Sequence, residues 1–275
     1  MKLPFDKVYC LHLATDTDRY EYCQKLFSKL GISDQVNYWW TTKRKISNII
    51  GASLKTFKTE YYEYVYRINP TVYGSLFNCT LEQYTIVKQA YERGFENILF
   101  MEDDLTFIDD IDVIEYVMTK SIPDDYDVLK FISGNGMYMF HKKPYTKELI
   151  DDSVPYFKKL SFDKDIDGNN ALLTNACFAL SRNGMRFFID FLDDTFTYAD
   201  HFTQAITKDD GLNVYINDYE ICHCDNTMYS SILYDEYQKA QLMKCNFDIP
   251  SKEIMKKGIN ANDASEITQP KFNLK

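Results

Sequence analysis

The chain has 275 residues, 45% of them hydrophobic and 26% charged. That is enough apolar material for a sizeable core and too much for wholesale disorder. The formal net charge of −10 argues against a nucleic-acid partner held through its phosphate backbone. It leaves room for a nucleotide ligand, because one bound cation offsets the field around two phosphates.

Seven cysteines, an odd number spread from Cys10 to Cys245 without a CxxC pair, fit reduced thiols in a reducing compartment. Aromatic residues reach 16%. Such rings can stack on sugar faces, although core packing accounts for most of them. The segment Met1-Lys2-Leu3-Pro4-Phe5-Asp6-Lys7 lacks the basic start and apolar run of a signal peptide. No apolar stretch approaches the ~18 residues of a membrane span. The expectation is a soluble cytoplasmic protein whose membrane association, if any, is peripheral. In that compartment the sequon Asn78-Cys79-Thr80 is a chance match.

In chain order, Val8–Leu13 is a short β-prone segment. Asp16 and Thr17 follow, either able to cap a helix over 18–30 that places Cys23, Leu26, Phe27 and Leu30 on one face and stops at Gly31. Strand, polar turn and helix open an α/β domain. Residues 35–75 hold Trp39, Trp40, the basic run Lys43-Arg44-Lys45 and a Tyr-rich stretch from Tyr61 to Tyr66. They read as a short strand, then loops and broken helix, with the basic run on a solvated surface. Thr80-Leu81-Glu82-Gln83 fits a capping box opening a helix to about Arg93, ended by Gly94. Asn97-Ile98-Leu99-Phe100-Met101 is the continuous apolar run of a buried parallel strand, and it ends in Glu102-Asp103-Asp104.

A helix from Asp110 to Lys120 and a strand from Asp127 to Ile132 follow, the latter leading into Gly134-Asn135-Gly136. Residues 137–168 are polar and irregular. Leu172 to Leu180 reads as a strand, and Ser181 caps a helix with Met185, Phe188, Ile189 and Leu192 on its apolar face. Val214 to Ile216 and Tyr219 to Cys222 are the last strand signals. Residues 1–250 are expected to form one domain, and 251–275 a weakly packed polar tail.

Three carboxylates closing a buried strand are costly unless a cation or hydrogen bonds compensate them. In an extended backbone Glu102 and Asp104 point one way and Asp103 the other. Two oxygen ligands on one side suit Mg2+ or Mn2+, and ligands of open α/β sheets gather at the carboxyl ends of the strands. An exposed acidic turn is the plain alternative. A metal-dependent phosphohydrolase is another, with a strand-end Asp as nucleophile, but Asp16 and Asp18 lie too far past the first strand for its partner motif. Cys222-His223-Cys224 has the wrong spacing for a structural zinc site.

The order of these segments resembles glycosyltransferase family 25, the lipooligosaccharide galactosyltransferase-like group. The resemblance runs through Leu11-His12-Leu13, Asp18-Arg19, Leu30-Gly31-Ile32, Gly74, Cys79, Leu81-Glu82-Gln83, Glu102-Asp103-Asp104 and Tyr126 to Leu129. It continues through Ala179-Leu180-Ser181-Arg182-Asn183-Gly184, Ala199-Asp200 and Ser230-Ser231-Ile232, covering about residues 7–235. Each motif is weak alone, and their shared order carries the resemblance. It implies a GT-A-type, Rossmann-like mixed sheet flanked by helices.

The activity implied is transfer of a hexose from a nucleotide-sugar, UDP-linked, to a glycan acceptor in lipopolysaccharide biosynthesis, inverting and dependent on Mn2+ or Mg2+. On that resemblance Glu102, Asp104 and a late histidine, His223, hold the metal on the diphosphate. Asp103 contacts ribose or sugar hydroxyls, His12 and Gln83 line the donor site, and Arg19 reaches the base or diphosphate. Asp200 is the base that deprotonates the acceptor hydroxyl. His12 stands where the family usually has Asn, and Glu82-Gln83 where it has Ser-His. Those departures keep open a catalytically silent nucleotide-sugar or carbohydrate-binding domain.

Overall fold

A computed structural model describes residues 1–42, 70–132, 156–159, 176–194, 202, 211–217 and 221–224. The elements are β1 (Lys7–Leu13), α1 (Thr17–Leu30), β2 (Val36–Thr41), α2 (Pro70–Glu92), β3 (Asn97–Glu102), β4 (Leu105–Phe107) and α3 (Ile111–Thr119). There follow β5 (Val128–Lys130), β6 (Phe157–Lys159), β7 (Cys177–Ser181), α4 (Arg182–Asp194), β8 (Val214–Asn217) and β9 (Cys222–Cys224). Seven strands form one sheet in the order β2-β1-β3-β7-β5-β8-β6, and β4 pairs with β9 in a separate two-stranded sheet. β2, β1 and β3 run parallel, whereas β7 is antiparallel to both β3 and β5. This is the expected α/β architecture, a mixed sheet flanked by helices.

Helices cover both faces, which is why β1 and β3 read as unbroken apolar runs. On one face Cys10, Met101, Leu129 and Phe131 pack with Cys23, Phe27 and Leu30 of α1 and with Val113, Ile114 and Val117 of α3. On the other, Leu11, Phe100 and Phe178 pack with Tyr84 and Val87 of α2 and with Phe188 and Leu192 of α4. α1 is bounded as its sequence predicts. The Asp16 carboxylate accepts the Arg19 backbone N–H at 3.3 Å, and Gly31 ends the helix at φ 67°, a conformation that favours glycine.

Several boundaries differ from the sequence expectation. α2 begins at Pro70, ten residues before the capping box, so Thr80, Glu82 and Gln83 lie inside the helix and are buried. Proline suits a first helical turn because its missing N–H has no partner to lose there. The side chains that mimic a cap point at neighbouring elements instead. The three-residue strands β4 and β6 carry no period that a sequence can display. β5 is shorter than 127–132, and the last described strand is Cys222–Cys224, residues 219 and 220 of the expected segment falling outside the described residues. The helix that Ser181 caps is present, and so is the strand before it, from Cys177. Lys43-Arg44-Lys45, the Tyr61 to Tyr66 stretch, Gly134-Asn135-Gly136, Asp200, residues 172–175 and the 251–275 tail fall outside the described residues.

The Leu180-Ser181-Arg182-Asn183-Gly184 segment has a structural reason for its composition. Ser181 Oγ accepts the Gly184 N–H and donates to Asp127 Oδ1, both at 3.1 Å, and Asn183 adds a 3.0 Å bond to the same carboxylate oxygen. A Cβ on Gly184 would lie 2.0 Å from the Asp127 carbonyl oxygen and 2.9 Å from its carbon. Both are backbone atoms, so no side-chain rotation relieves the clash. Gly184→Ala is therefore expected to cost about 1–3 kcal/mol, read as a lower midpoint in urea denaturation. An unchanged midpoint would contradict this close approach.

Candidate functional site at the β1–β3 switch point

β1 is followed in the chain by β2 on one side of it and later by β3 on the other. The carboxyl ends of β1 and β3 therefore bound the crevice where the winding of the sheet reverses. Open α/β sheets bind their ligands at such a point. Glu102 lies opposite Leu11 across this pair, and Asp103 and Asp104 form the turn that leads into β4.

Strand alternation holds for the first two carboxylates. Glu102 turns towards α2, where its Oε1 accepts from Gln83 Nε2 and Cys79 Sγ, each at 3.2 Å. Gln83 Nε2 also reaches Cys79 Sγ at 3.5 Å, and Glu82, one position earlier, accepts from Trp39 Nε1 at 2.7 Å. Asp103 turns the other way, towards α1. Its Oδ1 accepts from Arg19 Nη1 and its Oδ2 faces His12 Nδ1, both at 2.7 Å. Cys23 Sγ adds a contact of 3.4 Å to the Asp103 carbonyl. Past Glu102 the strand has ended, so the period-two rule does not govern Asp104.

Asp103 and Arg19 are each 6% exposed and His12 is 1% exposed. Burial pushes the Asp103 carboxyl up, but the His12 hydrogen bond and the Arg19 charge outweigh it and hold the pKa below its usual 3.8. Burial works against the Arg19 charge too, yet Asp103 and Asp104 more than compensate and raise its pKa. The Asp104 charge is thus part of this electrostatic unit. Because folding lowers the Asp103 pKa, its contribution to stability is complete above about pH 4 and is lost as pH falls through the folded-state value. The stability gap between wild type and Asp103→Asn should therefore narrow as acid is added below pH 4. Urea unfolding at pH 7 and pH 3 checks this, and a gap that widens in acid would contradict it.

β4 and β9 pair antiparallel with Thr106 opposite His223, which brings His223 beside the strand that leaves Asp104. Thr106 Oγ1 is 3.1 Å from Tyr22 Oη of α1, so the small sheet is tied to the same helix as Asp103. Among the described residues no three His, Cys, Asp or Glu side chains close around a common point. Glu102, Asp104 and His223 do not form a preassembled three-ligand cage. Of the residues named from the sequence, His12 and Arg19 meet Asp103 on the α1 side and Gln83 meets Glu102 on the α2 side. Cys23, Cys79, Glu82 and Trp39 support them through contacts between elements that the sequence alone does not display.

No protein-family model matches the sequence, and no curated protein matches it. Among solved structures the chain is similar to a glycosyltransferase involved in the glycosylation of the major capsid of PBCV-1. That likeness has 10% identity over 85% of this chain and 98% of that one, with a TM-score of 0.41. It is similar also to mouse xyloside xylosyltransferase 1 in its apo form, at 9% identity over 78% and 79%, with a TM-score of 0.28. Neither likeness is close enough to transfer a residue role. No helix among the described residues is long and apolar enough to cross a membrane.

Proposed function

We propose that this chain is a GT-A-type glycosyltransferase that moves a hexose from a nucleotide-sugar, UDP-linked, to a glycan acceptor. The observation that carries the reading is Glu102-Asp103-Asp104 at the carboxyl ends of β1 and β3, with Asp103 locked inward by Arg19 and His12. On this reading Asp103 supports the turn, and Asp104 and Glu102 are the carboxylates that serve the ligand.

In this proposal Asp104 would hold Mn2+ or Mg2+, with Glu102 and His223 as further donors. Hard divalent cations at diphosphates commonly take one or two protein carboxylates and complete their shell with phosphate and water. Bound there, the ion would neutralise the departing diphosphate. Asp103 then acts as a positioning residue, and Arg19 adds positive charge behind the turn. Gln83 and Cys79 hold Glu102, so α2 sets the orientation of that carboxylate. In the displacement, the acceptor oxygen bonds to the anomeric carbon as the carbon–oxygen bond to the diphosphate breaks. The hydroxyl proton passes to a carboxylate base, for which Asp200 is the proposed residue.

The phosphohydrolase reading is less favoured because Asp16, the nearest acid after β1, is engaged as the α1 cap and with Arg19 at 3.5 Å. A ligand that binds only the folded state raises apparent stability. A thermal-shift screen of nucleotide-sugars with and without Mn2+ is expected to give a Mn2+-dependent rise for at least one donor. No rise for any donor, with or without metal, would contradict the proposal.

A further inference from the structure

The described seven-stranded sheet ends in β6 on one side and β2 on the other, and the two edge strands differ in chemistry. β6 is Phe157-Lys158-Lys159, with both lysines exposed. Lysines on an edge strand guard it against pairing with another chain. β2 is Val36-Asn37-Tyr38-Trp39-Trp40-Thr41, which carries no charged residue and is rich in aromatic and β-branched side chains that favour strands. Its Trp40 is the one large hydrophobic side chain that stands exposed among the described residues, at 51%.

The ladder shows which backbone groups of β2 are committed. The Ala14 N–H donates to the Thr41 carbonyl at 2.8 Å, so Thr41 directs its backbone at β1. In an extended strand the N–H and C=O of one residue point to the same side, and successive residues alternate. Asn37 and Trp39 therefore face β1 as well, whereas Val36, Tyr38 and Trp40 direct theirs outward. The Val36 N–H is taken by the Ile32 carbonyl at 3.3 Å. Among the described residues nothing bonds the outward N–H and C=O groups of Tyr38 and Trp40. An uncharged edge with such groups is a template for an added strand.

We propose that β2 is a self-association edge, on which a second copy of this chain lays its own β2 antiparallel to the first. Tyr38 of each copy then stands opposite Trp40 of the other, and every outward group of these residues is engaged. Opposed residues of an antiparallel pair share a face, so the two Tyr–Trp contacts form on the α1 side, where Tyr38 and Trp40 already lie. The uncharged strand brings no like charges together, although the whole chain carries a net charge of −10. Such pairing uses the same surface of both copies and stops at two. The inference is independent of sugar transfer. Trp40 lies opposite His12 in the β2–β1 ladder with its ring 5.0 Å from the imidazole, so the seam of the dimer runs beside the crevice. A six-residue edge is well short of an obligate interface, and the dimer is reversible.

The test is sedimentation equilibrium of the full chain between about 1 and about 100 µM, the range in which a modest interface assembles. The wild-type mass should rise from one chain towards two. Trp40→Lys places a cation on the edge, and Trp40→Pro deletes an outward N–H while sparing the bonds to β1. Both should keep the mass of one chain over the same range, with far-UV circular dichroism to check folding. If the proline variant does not fold, the lysine variant carries the comparison. A peptide spanning residues 35–42 should displace the second copy and return wild type to one chain. A one-chain mass for wild type throughout overturns the inference, as does a dimer that both variants form equally well. If a peptide of scrambled sequence competes as strongly, the edge accepts any extended strand, and self-pairing as its purpose is overturned.

Discussion

Asp103→Ala should lower the unfolding free energy by about 3–5 kcal/mol, the largest stability effect expected of any substitution at the site. The reason is asymmetry. The Asp103 carboxylate meets the Arg19 guanidinium and the His12 imidazole at 2.7 Å each, in surroundings where all three are almost completely buried. Removing the carboxylate leaves a buried cation that has lost its 2.7 Å partner and keeps only Asp16 at 3.5 Å and the charge of Asp104 among the acidic groups described around it. Arg19→Met with Asp103→Ala should be less destabilised than the sum of the two single changes, because the uncompensated charge is gone. Additive losses, measured by denaturation of the four proteins, would show that the pair is not coupled. Three adjacent carboxylates can close a buried strand because one of them, Asp103, is neutralised from behind by Arg19 of α1.

The second large effect is on activity. Asp104→Ala should reduce kcat/KM for sugar transfer by at least about 100-fold, the scale on which a preorganised group serving developing charge acts. Its stability cost should be smaller than that of Asp103→Ala, because Asp104 is only partly buried. Asp103→Ala should also lose activity, but through misplacement of the turn and together with a fall in midpoint. Steady-state rates beside unfolding midpoints separate the two. The account predicts opposite rank orders: Asp104 first in lost rate, Asp103 first in lost stability. Full, Mn2+-dependent transfer by Asp104→Ala would remove Asp104 from the metal site.

Much of the scaffold was legible because its signals are local. Asp16 and Gly31 bound α1 by capping chemistry within a turn of the helix, and the apolar run before Glu102 marked a buried parallel strand. Period two in an extended chain correctly separated Glu102 from Asp103. The errors came where a local signal was mimicked or absent. Thr80-Leu81-Glu82-Gln83 has the composition of a capping box, yet it lies mid-helix because Glu82 and Gln83 serve Trp39 and Glu102 across element boundaries. The residues that grip Asp103 are 80 to 91 positions away in the chain, a separation at which spacing carries no information. The placement of His223 depends on pairing between two three-residue strands, which no periodicity announces. Trp40 was visible as a residue, but its position over His12 follows only from the β1–β2 register.

The most direct test of sugar transfer at this crevice is release of nucleoside diphosphate from a panel of nucleotide-sugars, with and without Mn2+, using wild type and Asp104→Ala. At least one donor should be cleaved, slowly by water and faster with a glycan acceptor, only with the metal and only by wild type. Cleavage of a generic phosphate ester with every nucleotide-sugar left intact would contradict it.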